Sequence, residues 1–251
     1  MWTFKAYFKK EFIESVRQYK YLMLAAGILL FALLDPIMLK LLPDILKSQL
    51  PADISALFVT TQKTAVQGYI KDLNQIGLLF IIFIFCGTLS DEIYNQKLVF
   101  PYSKGARPAS AVLAKFFNYI LAVCVFTAIG FLVNYYYVTI LFSKDPLEIA
   151  SLLPSITLVS VYFIFNASLA MLLSSLFKRG LVGGILTLAV SLATSALAGL
   201  KNIGKFIPYK LVSLANGFTF ENSTFTIVFV TMLSIIFIAL TIFRMSKIEV
   251  I

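Results

Sequence analysis

Six runs of apolar residues, each at least as long as the roughly 17–25 that carry a helix across a hydrocarbon core and the third longer than a bilayer needs, divide this chain. They fall at about 19–42, 74–90, 111–142, 149–177, 181–200 and 223–243. The composition agrees: 60% of the 251 residues are hydrophobic and 13% are charged, against about 25% charged in a soluble domain. The runs are continuously apolar and do not alternate, which disfavours a membrane β-barrel. The expected fold is therefore an all-α integral membrane protein with six transmembrane helices.

Residues 1–20 read as an amphipathic helix lying in the membrane interface. At 100° per residue, Phe4, Tyr7, Phe8, Phe12, Val16 and Tyr19 share one half of the wheel, and Lys9, Lys10, Glu14, Arg17 and Lys20 share the other. Basic helices with aromatics along one side bind at the headgroup level. Lys5, Glu11 and Ile13 break the pattern. In the first span, Asp35-Pro36 predicts a kink or an early end, because proline cannot donate to the helix ladder. Asp35 sits about 14 residues along, and solvation near the far interface accounts for it better than a functional role. Residues 43–74 read as a polar loop with short helical pieces. Asn134-Tyr135-Tyr136-Tyr137 closes the third run with aromatics suited to the headgroup level. Residues 201–222 either dip into the membrane or lie on it.

Orientation follows from Lys and Arg, which favour the cytoplasmic side. With the N-terminus inside, residues 1–20, 91–115, 178–179 and 244–251 hold five, four, two and two bases, thirteen of the 21. Both termini are then cytoplasmic. The domains are the interfacial helix at 1–20, a six-helix transmembrane domain at 19–243 and a cytoplasmic tail at 244–251. The formal charge of +9 fits loops facing anionic membrane lipid, not nucleic acid.

Little in the chain can do bond chemistry. It has no histidine, and both cysteines, Cys86 and Cys124, lie inside apolar runs as small hydrophobes. No GxxxxGK[ST], HExxH or GxSxG motif occurs. We therefore expect no enzyme and no cofactor or metal held by this chain. A channel would show a charged ring or a filter loop. An ion-coupled transporter would show ionisable groups or broken helices within its spans. The fifth run is rich in small residues, and Gly180 and Gly184 have the spacing that lets helices approach closely. That spacing suits either bundle packing or a subunit interface.

One polar island stands between the second and third runs, at 91–115: DEIYNQKLVFPYSKGARPASAVLAK. It combines an acid, Glu92, a polar run at 95–97, an apolar patch at 98–100, Pro101-Tyr102-Ser103-Lys104 and a closing Lys115. Together with the N-terminal helix and six spans, this resembles the membrane subunit of an ABC-2 type ABC transporter. The resemblance covers nearly the whole chain. It departs from the family pattern at Asn95-Gln96-Lys97, where a glycine and a threonine are usual, and at Lys104, where an arginine is usual.

The resemblance implies an exporter permease that works with a separate ABC ATPase subunit, which binds ATP and Mg. It also implies pairing with a second permease copy or a paralogue. The residues at 91–115 would form a coupling helix. There Leu98, Val99, Phe100 and Tyr102 would offer an apolar knob beside Pro101, ringed by Lys97, Lys104 and Arg107, with Glu92 as the acid of the coupling segment. Lys178 and Arg179 would make a second, minor contact. The cargo would be amphipathic or hydrophobic, and the location the plasma membrane of a prokaryotic cell. The alternative is a membrane anchor or sensor that binds a cytoplasmic partner and moves nothing.

Overall fold

The computed structural model describes residues 2–47, 60–199 and 204–247. It is helical throughout, and among the described residues six helical segments are long and apolar enough to cross a membrane. This is the architecture of a multi-pass membrane protein.

Helix α1 (Trp2–Arg17) meets α2 (Lys20–Lys47) at a sharp corner, where Tyr19 takes a positive φ of 56°. α2 continues past Pro36 and Pro43, so the early end expected at Pro36 does not occur. Asp35 is half-buried. It lies beside Asp72, and one of its carboxylate oxygens is enclosed without a hydrogen-bond partner. The solvated position expected for it is not what the fold provides.

The return pass begins earlier than its hydropathy implies. α3 (Gln62–Asp72) starts within the expected loop, capped by Thr61 and Thr64 in a reciprocal capping box. A π-helical turn (Leu73–Gly77) joins it to α4 (Leu78–Cys86). Two short helices follow, α5 (Ser90–Tyr94) and α6 (Val99–Ser103). Gly105 then turns the chain with φ 80°, and Pro108 opens α7 (Pro108–Leu141) at the first-turn position that proline suits. With 34 residues, α7 is about 51 Å long, far more than a bilayer core of about 30 Å.

α8 (Leu152–Leu176) and α9 (Gly180–Leu197) form a tight hairpin. α10 (Lys210–Ala215) precedes the last span, α11 (Thr224–Ser246). α10 tucks against the first half of α8: Ser155 Oγ donates to the Ala215 carbonyl at 2.6 Å, and the rings of Tyr209 and Tyr162 meet edge to face at 6.1 Å. The described part of 201–222 thus folds back into the bundle.

The α3–α4 pass and α8 are the most enclosed, with α2, α7, α9 and α11 around them. Close approach depends on glycine at two places. A side chain at Gly27 would meet the Phe80 ring at 2.5 Å, and one at Gly180 would meet the Cys86 carbonyl at 2.7 Å. Gly184 lies against the Cys86 side chain. Both residues of the Gly180/Gly184 pair therefore pack α9 on α4 within the chain.

Contacts also sort the ends of the bundle. α1, α5, α6, the 178–179 turn and the end of α11 lie at one end. The start of α3, the 142–148 connection and α10 lie at the other, where Gln62 Nε2 donates to the Phe142 carbonyl at 2.7 Å.

Candidate coupling site

At the first of these ends, five charged side chains from three elements converge. α1 supplies Lys10, Glu11 and Glu14, α5 supplies Glu92 and α7 supplies Lys115. The Lys115 ammonium sits 2.7 Å from Glu11 Oε1 and 2.9 Å from Glu92 Oε1. The Lys10 ammonium reaches the same two oxygens at 3.0 Å each, and Glu14 Oε2 at 3.2 Å. Glu11, Glu92 and Lys115 are each 5% exposed or less. Ions cut off from water this far are tolerated only when paired and hydrogen-bonded, and each here has an opposite charge at contact distance.

The α1 wheel accounts for the arrangement. Glu11 and Ser15 lie in the middle of its apolar half, on the stripe that also carries Phe4 and Tyr7. In the fold that stripe faces α7, while Phe12 and Val16 are turned outward and about half exposed. Ser15 Oγ donates to the Glu11 carbonyl at 2.7 Å and accepts from Asn118 Nδ2 at 3.3 Å. Tyr21 Oη donates to Asn118 Oδ1 at 2.8 Å, which ties the start of α2 into the same seam. The inward face of α1 therefore carries Glu11 and Ser15 beside Phe4 and Tyr7, and Phe12 and Val16 are left exposed.

The charges reinforce one another. Burial alone would lower the Lys10 ammonium, but the carboxylates of Glu92 and Glu11 outweigh it and hold the group above its usual value. Burial alone would raise Glu14, but the charge of Lys10 and its hydrogen bond hold it below the usual carboxylate range. Burial and the Glu92 charge raise the Tyr7 hydroxyl, which stays protonated. Glu11, Glu14 and Glu92 bring oxygens within 4.8 Å of one another, as a metal site would. Two ammonium groups already bridge those oxygens, so the cluster acts as an ion-pair lock between helices.

The lock anchors the segment that resembles a coupling helix. Glu92 is its buried root. Leu98 turns inward and joins the core, and Tyr102 packs partly against it with an enclosed hydroxyl. Leu98 is thus no part of an outward knob. The projecting apolar group is Phe100, 66% exposed, with the Lys104 ammonium 4.3 Å from its ring centre. Tyr94 is also exposed. Pro101 lines a groove of about 410 Å³ between α1 and α6 together with Tyr7, Lys10, Glu92, Lys97 and Phe100. Lys97 and Arg107 point to solvent, as do Lys178 and Arg179 in the α8–α9 turn.

A second concavity, of about 380 Å³, lies among the spans between the π turn, α8, α9 and the approach to α10. Asn74, Gln75, Ser191, Ser195, Tyr162 and Tyr209 give it polar edges, and Leu78, Leu79, Leu188 and Leu192 give it apolar walls. Among the described residues no charged side chain lines it. The extra residue of the π turn carries Asn74 to its wall, where the carboxamide oxygen is enclosed without a partner. π turns inside helices recur at functional sites.

The chain matches no protein-family model and no curated protein.

Proposed function

We propose that this chain is the permease subunit of an ABC exporter, driven by ATP hydrolysed in a separate nucleotide-binding subunit. The observation that carries this reading is the segment at 91–107. Its root, Glu92, is locked to both α1 and α7, and its tip offers Phe100 with the Lys104 ammonium over its ring and Lys97 and Arg107 exposed in the same segment. A push on Phe100 is thereby transmitted to two helices at once, which a merely solvated turn would not do. Apolar anchors with charged rims are the common form of protein interfaces. Lys178 and Arg179 project at the same end and add a minor contact.

In this reading the α1 end faces the cytoplasm, where the thirteen bases of the sequence count belong, and α1 lies in the interface with Phe12 and Val16 toward lipid. The membrane is the plasma membrane of a prokaryotic cell. A second copy or a paralogue completes the pathway. The uncharged cleft beside Asn74 suits a hydrophobic or amphipathic cargo with hydrogen-bonding groups, and its presence favours transport over simple anchoring.

Co-expression with the candidate ATPase tests the assignment. The two should co-purify, and a hydrolysis-dead ATPase should abolish efflux of cargo from cells. Binding that persists, with no phenotype from the hydrolysis-dead ATPase, would instead make the chain an anchor.

A further inference from the structure

A second basic concavity lies at the same end of the bundle, away from the ion-pair lock. It has a volume of about 340 Å³ and is lined by Ile93, Ser175, Leu176, Phe177, Lys178, Arg244 and Lys247. Three cations from two separate places in the chain, the α8–α9 turn and the end of α11, converge on it, and among the described residues no acid lines it. None of the three has an ion-pair partner among the described residues. The nearest acids of α5 are turned elsewhere: Glu92 is held by Lys10 and Lys115, and Asp91 lies over Gly87. Lys247 curls back along α11 over the Phe243 ring at 4.3 Å, toward the apolar part of the helix. Leu176 and Phe243 flank the cations and are each about half exposed. The concavity sits where two apolar helices of 25 and 23 residues end, the level of lipid headgroups for helices about 35 Å long.

We infer that this cleft binds the headgroup of an anionic glycerophospholipid, its phosphate among Lys178, Arg244 and Lys247 and its acyl chains along Leu176 and Phe243. Basic pockets between spanning helices recognise such headgroups. The inference is independent of the transport reading, since it needs only a membrane around α8 and α11. It assigns Lys178 to lipid in place of the minor ATPase contact proposed for it above, and leaves that contact to Arg179.

Native mass spectrometry of the purified full chain tests it, with phosphatidylglycerol and phosphatidylcholine added at equal concentration. Phosphatidylglycerol should be retained preferentially, and the preference should fall about fivefold for each cation removed, vanishing in K178A/R244A/K247A. The triple variant K97A/K104A/R107A, at the same end, should keep it. All six side chains are exposed, so both proteins should elute as the wild type does. Equal retention of the two lipids, or equal loss in both triple variants, would overturn the site. Displacement of the lipid by millimolar inorganic phosphate would show an anion site that needs no lipid, and would overturn it too.

Discussion

Lys115 bears more on this structure than its place in the sequence suggests. It stands seven residues into α7, where hydropathy reads it as the watery start of a span. In the fold it is almost fully enclosed and holds two carboxylates from other elements. Removing one partner of a buried pair leaves the other charge uncompensated, at about 3–5 kcal/mol. Lys115→Met should destabilise the protein by that order in an SDS-unfolding titration, whereas Lys10→Met, at a half-exposed group, should cost clearly less. The pH dependence has a defined sign. Glu14 is held below its ordinary 4.5, so its contribution is present above that value and lost as pH falls through the lower folded one. Lys10 is held above its ordinary 10.5, so its contribution is present below that value and lost as pH rises through the higher folded one. Thermal stability should therefore be flat between about pH 5 and 10 as far as these two groups go, and fall outside that window. A midpoint shift within the window that Glu14→Gln removes would contradict this assignment.

At the level of elements, the hydropathy runs marked the six spanning helices well, because a helix in lipid must be apolar over a fixed length. Their ends were less legible. α3 begins at Gln62, twelve residues before the apolar run, because a capping box and tertiary packing set its start. Pro36 failed to end α2, since packing against neighbouring helices carries the span past the hydrogen bond that proline removes. The lock was half visible: Glu11 stood as a flaw in the α1 wheel, yet it lay at the centre of the buried stripe with Ser15. Lys115 reaches Glu11 from 104 residues away and Glu92 reaches Lys10 from 82, and no local pattern reports such distances. The small residues of α9 allowed bundle packing or a subunit interface, with packing the favoured reading, and Gly180 and Gly184 pack within the chain against Cys86 and Gly87. Gly180→Leu should accordingly force α9 off α4, at about 1–3 kcal/mol, seen as a lower unfolding midpoint of the purified chain. An unchanged midpoint would show that the helices can separate freely there.

For the whole molecule, the end that carries α1, α6 and the lock is the end where energy would enter, and its sidedness can be measured. In a chain with Cys86 and Cys124 replaced by alanine, an impermeant thiol reagent added outside intact cells should label Lys205→Cys and spare Ser103→Cys, and the reverse pattern would invert the topology. The central claim is that force from an ATPase reaches the spans through Phe100 and its charged rim. It is tested by reconstituting the permease with its ATPase in lipid nanodiscs and measuring ATP turnover and cargo efflux together. Phe100→Asp and K104E/R107E should assemble and insert as the wild type does, but lose cargo-stimulated ATP turnover and efflux together. Wild-type turnover and efflux in those variants would contradict the account.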